Sequence, residues 1–84
     1  MSRMDTLRLK IEDIYVPVKR KNELDPKKVE ALAEAILENG QETPISVRDD
    51  GKRLVLVAGL HRLEACKALG EETIEGVKVG ARRF

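Results

Sequence analysis

Residues 54–69, LVLVAGLHRLEACKAL, join two kinds of backbone in sixteen positions. An apolar run ends at Ala58-Gly59, and a segment with helical spacing opens at Leu60-His61-Arg62. Gly59 lets the chain turn tightly where strand becomes helix. The first amides of such a helix have no partner within it and point outward as donors. The helix dipole adds partial positive charge at the same place. The sole histidine of the chain, His61, and Arg62 stand in that first turn. The backbone of Ala58, Gly59 and Leu60, with His61 and Arg62, is therefore the predicted phosphate site.

The rest of the chain supplies elements to hold this joint. Residues 6–11 (TLRLKI) alternate polar and apolar, which predicts a strand with Leu7, Leu9 and Ile11 on one face. Residues 12–18 read as an irregular or short helical connection, and 19–23 (KRKNE) as a charged loop. Asp25 is a good N-cap and Pro26 fits the first helical position. From there Val29, Leu32, Ala33, Ile36 and Leu37 repeat at helical spacing as a core-facing stripe, until Asn39-Gly40 stops the helix. A short strand is predicted over 45–48, a hairpin turn at Asp49-Asp50-Gly51, and an apolar, central strand over 53–57. The second helix is predicted over 60–69, ending at Gly70, and a closing strand over 73–79. The order β-α-β-β-α-β predicts a single small α+β domain over 1–84, a mixed sheet carrying two main helices.

Composition excludes several function classes. Charged residues are 37% of the chain, yet the net charge is only +1, which is a mixed solvated surface rather than a basic nucleic-acid footprint. DNA is thus an unlikely partner. With Tyr15 and Phe84 the only aromatics, stacking platforms for single-stranded bases are absent. A single cysteine makes no internal disulfide and no cysteine metal site, which fits a cytoplasmic, metal-free chain. No apolar run is long enough to span a membrane, and MSRMDTLRLK lacks the apolar block of a signal peptide.

At about 100° per residue, Leu63, Cys66 and Leu69 share one face of the second helix, and Arg62 projects between Cys66 and Leu69. An arginine directed at the protein body without an anion is costly. In the first turn it can reach forward past the helix end and fork onto a phosphate. His61 falls on the more exposed side, where it can bond the same ligand or relay a proton. The alternative is that Arg62 pairs with a nearby carboxylate and His61 is a plain surface residue. Lys27 and Lys28 add a second sign. Both occupy the first turn of the other helix, where each opposes the dipole by roughly 0.3–1 kcal/mol, and a bound anion reverses that penalty. Arg20 and Lys21 could join them, or the run could be a solvated surface.

Several segments together resemble the ParB/sulfiredoxin superfamily: Leu24-Asp25-Pro26-Lys27-Lys28-Val29, the helix ending at Asn39-Gly40, Thr43-Pro44-Ile45-Ser46-Val47, and Ala58-Gly59-Leu60-His61-Arg62 with Ala65 and Leu69-Gly70. The resemblance runs from about Ile14 to Val79. Sulfiredoxin carries Gly-Cys-His-Arg and uses ATP to repair a sulfinic acid on peroxiredoxin. Gly59, His61 and Arg62 match that motif, but Leu60 replaces its cysteine. Lys28 matches a lysine of the sulfiredoxin nucleotide site, whereas Ala31 and Ala35 replace hydroxyl residues there. ParB-type domains carry Gly-Glu-Arg-Arg and a further arginine; here Leu60 and His61 replace the first Glu-Arg, Arg62 is kept, and Glu64 replaces the later arginine. The resemblance therefore implies an ATP- or ADP-binding domain, with Mg2+ entering beside the nucleotide, and slow ATP hydrolysis in which Arg62 and His61 act. It does not imply sulfinic acid reduction, since leucine is no nucleophile and Cys66 sits on the core-facing stripe. A non-enzymatic ParB-like module linked to DNA or regulation is the alternative, and a small-molecule kinase, an activity known among relatives of the fold, is the third. The residues name no protein partner.

Overall fold

A computed structural model describes residues 6–41 and 43–80. The elements in chain order are β1 (Leu7–Lys10), a 3-10 turn (Ile11–Asp13), β2 (Ile14–Tyr15), α1 (Val18–Lys21), α2 (Pro26–Asn39), β3 (Ile45–Asp49), β4 (Leu54–Ala58), α3 (Leu60–Ala68) and β5 (Thr73–Lys78). They form one mixed five-stranded sheet in the order β1-β5-β3-β4-β2. The β1–β5 and β3–β4 pairs are antiparallel, and β3–β5 and β2–β4 are parallel. This is the expected α+β domain with one strand more than predicted.

The extra strand, β2, is the first correction. Residues 12–18 are not merely a connection: Ile14 and Tyr15 pair with Leu54 and Val55 along the edge of β4. Two residues give no period to read, and only the presence of a neighbour makes them a strand. The second correction concerns 19–23, of which Lys19–Lys21 belong to the short helix α1 rather than a loop. The third is the centre of the sheet. It is β3, with Ile45 and Val47 almost without solvent contact, while β4 lies between β3 and the edge strand β2.

Both turn signals hold for identifiable reasons. Asp25 caps α2 through its Oδ1, which accepts the Lys27 amide at 3.0 Å, and Pro26 follows at the first helical position. In the hairpin, Asp50 Oδ1 accepts the amides of Lys52 and Arg53, and Asp49 Oδ1 that of Gly51. An unforeseen side-chain link joins α2 to the sheet. Gln41 accepts from the Glu75 amide at 2.9 Å and donates to the Glu75 carbonyl at 3.0 Å. Its amide thereby stands in for a strand neighbour just where β3 begins its pairing with β5.

The core is Leu9, Ile11, Ile14, Val16, Ile45, Val47, Leu56 and Ile74 beneath Leu60, Leu63 and Cys66 of α3. Leu63 and Cys66 face inward as their spacing predicts, whereas Ile11 joins the core from the 3-10 turn and Leu7 is largely exposed. The stripe on α2 is a further correction. That helix rests on α3 rather than on the sheet, so Val29, Leu32, Ala33 and Ile36 are only half-buried and Leu37 is 75% exposed. Leu37 lies about 80° around the helix from Val29, off the edge of a contact one helix wide.

The joint between β4 and α3 is the tightest point of the structure. Gly59 adopts φ +106°, and a Cβ there would stand 2.7 Å from Ile45 Cγ2. Gly59→Ala is expected to destabilise the fold by at least about 2 kcal/mol, from positive-φ strain and overlap with Ile45. That corresponds to a fall in Tm of roughly 8–16 °C for a domain of this size; a melt matching the parent protein would refute the close approach. Cys66 is 2% exposed, and burial pushes its thiol up, with Glu71 adding and Arg62 opposing. A disulfide reagent such as DTNB is expected to label Cys66 only after denaturation, and rapid labelling of the native protein would contradict this burial.

Candidate functional site

Two helix amino ends approach each other, and they differ in one respect. The amino end of α2 carries its own carboxylate, the capping Asp25. The amino end of α3 carries none: its N-cap is Gly59, no side chain caps it, and the first intrahelical bond is from the Leu63 amide to the Gly59 carbonyl. Helix geometry thus leaves the amides of Leu60, His61 and Arg62 without intrahelical partners. An anion would meet repulsion at the first site and only donors and positive dipole at the second.

The predicted site residues fall as follows. Ala58 ends β4 and is exposed, Gly59 is half-buried, and the Leu60 side chain is sunk in the core, so Leu60 offers only its backbone. Arg62 is half-buried, as its position between Cys66 and Leu69 predicts. It does not simply reach past the helix end. It lines a small cleft of about 110 Å³ with Leu32, Ala35, Ile36, Asn39, Gly40 and Thr43, against the second half of α2. Among the described residues no carboxylate lies within 4.0 Å of Arg62.

His61 departs from its expected place. It is half-buried, and its Nε2 accepts the backbone N–H of Asp25 at 2.9 Å. The reason is the packing of α2 on α3, which brings the N-cap of one helix to the first turn of the other. No sequence signal pairs two residues 36 positions apart.

Lys27 and Lys28 are exposed on the first turn of α2. Lys28 shares a strip of that helix with Leu32, Ala35 and Asn39 at helical spacing, and the last three line the cleft that holds Arg62. From Lys28 to Ala35 the strip runs about 10 Å. Arg20 is less available than expected: it lies in α1, 3.8 Å from Glu23. Three larger concavities, of about 260, 560 and 680 Å³, are also present. The largest of them sits between β2 and the β3–β4 hairpin and is lined by Glu12, Asp13 and Asp49 as well as Lys52 and Arg53. Its acidic lining disfavours a polyanion, whereas the smaller cleft is lined by Arg62 of the first turn of α3. Among the described residues no cluster of three His, Cys, Asp or Glu side chains is placed to hold a metal ion. No helix there is long and apolar enough to cross a membrane.

Comparison with known proteins bears on this geometry. Sulfiredoxin from Arabidopsis thaliana superposes with a TM-score of 0.82 at 30% identity, covering 92% of this chain and 86% of that one. The chromosome-partitioning protein ParB from Caulobacter crescentus, in complex with CTP-gamma-S, gives 0.78 at 23% identity, covering 93% of this chain and 46% of that one. A free serine kinase in complex with AMP gives 0.80 at 18% identity, with 93% of this chain matching 32% of the kinase. No curated protein sequence matches the chain. The ParB N-terminal domain family matches residues 2–83. With that match over nearly its whole length, and sulfiredoxin alike in fold and in sequence, the chain belongs to the ParB N-terminal domain family of the ParB/sulfiredoxin superfamily.

Proposed function

We propose that this domain binds a nucleotide, with the phosphates on the amino end of α3, and hydrolyses ATP slowly. The observation that carries the reading is the contrast between the two helix starts: α2 is closed by Asp25, whereas α3 has no side-chain cap and carries Arg62 in its first turn. The relatives support it. ParB of C. crescentus holds CTP-gamma-S, and the serine kinase holds AMP, on the same fold. Charge-assisted hydrogen bonds contribute about 1.5–3 kcal/mol each, so three of them, less the cost of association, give micromolar to millimolar affinity.

In this reading the amides of Leu60, His61 and Arg62 grip phosphate oxygens, Lys28 neutralises one side, and the Arg62 guanidinium stabilises charge developing on the transferred phosphoryl group. Lys27 is an accessory contact. Magnesium comes with the nucleotide and keeps most of its waters. His61 has Nε2 engaged by Asp25, which leaves Nδ1–H to orient a phosphate or a water. No carboxylate base stands on the groove residues named, and turnover is accordingly slow. Sulfinic acid reduction has no support: Leu60 occupies the thiol position, and Cys66 is buried in the core.

The family match favours a second reading, a DNA-associated regulatory module, since ParB from C. crescentus has also been seen complexed to the centromeric parS site. It predicts duplex binding that weakens steeply with salt. The kinase reading rests on fold alone.

An NMR titration with ATP, ADP and CTP in magnesium separates these readings. Amide shifts are expected at Gly59 to Arg62 and at Lys28. Arg62→Ala is expected to weaken binding by about 10- to 150-fold, the equivalent of one charge-assisted bond, and to abolish phosphate release. Unchanged affinity and turnover in that variant would reject the site. A gel shift with duplex DNA at low salt, showing binding without nucleotide, would favour the second reading.

A further inference from the structure

A single hydrogen bond ties the amino ends of the two long helices together, and its direction is fixed by chemistry. The donor is the Asp25 backbone N–H, and the acceptor is His61 Nε2, 2.9 Å away. A backbone N–H only donates, so Nε2 must present a lone pair. The ring bound in this way is neutral and carries its proton on Nδ1.

Asp25 is held through both backbone groups and one carboxylate oxygen. Its Oδ1 takes the Lys27 amide, and its carbonyl takes the amides of Lys28 and Val29. Its backbone N–H goes to His61. Within the packing of α2 on α3, this contact ties the first turn of α2, with Lys27 and Lys28, to the first turn of α3, with its free amides. The α2 end has cations but a carboxylate cap, and the α3 end has open donors and Arg62.

We infer that His61 is a positioning residue, an acceptor clasp that fastens the N-cap of α2 to the first turn of α3 and so fixes the spacing of Lys28 from the amides of Leu60 to Arg62. It is not the general base of the reaction. A base needs a free lone pair; the one on Nε2 is taken, and Nδ1 bears the proton. The consequence for ligand affinity rests on the nucleotide-binding reading, whereas the clasp itself exists without ligand.

The test begins on the nucleotide-free protein. With 15N-labelled histidine and backbone, a scalar coupling through the hydrogen bond is expected between the Asp25 amide nitrogen and His61 Nε2, with ring nitrogen shifts of the Nδ1–H form. Two variants follow. His61→Phe keeps ring bulk without an acceptor. His61→Gln offers both an acceptor and a donor, but no base. His61→Phe is expected to speed Asp25 amide exchange and weaken Mg-ATP binding, each about 2- to 10-fold, the worth of one hydrogen bond. His61→Gln is expected to recover both toward the parent values. A general base predicts the opposite split, with hydrolysis lost in both variants at intact affinity. That split, or no coupling in the parent protein, overturns the inference. Absence of any ATP binding by the parent protein would sink the nucleotide reading instead, and the coupling and the exchange comparison would still decide the clasp, even if His61→Phe failed to fold.

Discussion

Everything at the candidate site depends on how closely α3 leaves the sheet. Gly59 presses its backbone against Ile45, the buried first residue of the central strand, at a distance no Cβ would tolerate. That approach lets Leu60 and Leu63 drop directly into the core while the opening amides of the same helix stay at the surface. A wider turn would lift the helix and its amides off a fixed platform. The rigidity of the start of α3 is therefore borrowed from the hydrophobic core, and glycine is the residue that permits it.

Electrostatics then chooses between two helix starts. Asp25 satisfies one orphan amide of α2 and stabilises that helix, and its charge removes the site from contention as an anion cradle. Its neighbours Lys27 and Lys28 oppose the dipole there, a local cost that makes sense if their charge serves the adjacent, uncapped start of α3. The chain is nearly neutral overall, so this is a local arrangement of charge and not a general basic surface.

The relatives share the scaffold and differ at the positions that would carry chemistry. In this chain a core leucine stands where sulfiredoxin has its cysteine, and the one cysteine present is enclosed by α3 and the sheet. What persists is Gly59, His61 and Arg62 at the start of α3. These are groups that bind and orient, which is the basis of the nucleotide-binding proposal.

Much of this was legible in the residues. Local rules need only neighbours: Asp25-Pro26 starts a helix, Asn39-Gly40 and Gly70 end two, the Asp49-Asp50-Gly51 turn makes a hairpin, and Gly59 joins strand to helix. Those signals sufficed for the α+β class, the α3 start and the buried face of Leu63 and Cys66. The tertiary structure decided whatever depends on a partner distant in the chain. Ile14-Tyr15 became a strand because β4 offered an edge, β3 rather than β4 took the centre, and Leu37 was left in solvent because α2 rests on another helix. The position of Arg62 in its cleft and the engagement of His61 by Asp25 belong to the same class. Sequence periodicity states which face a residue shares, but only packing states what stands opposite that face.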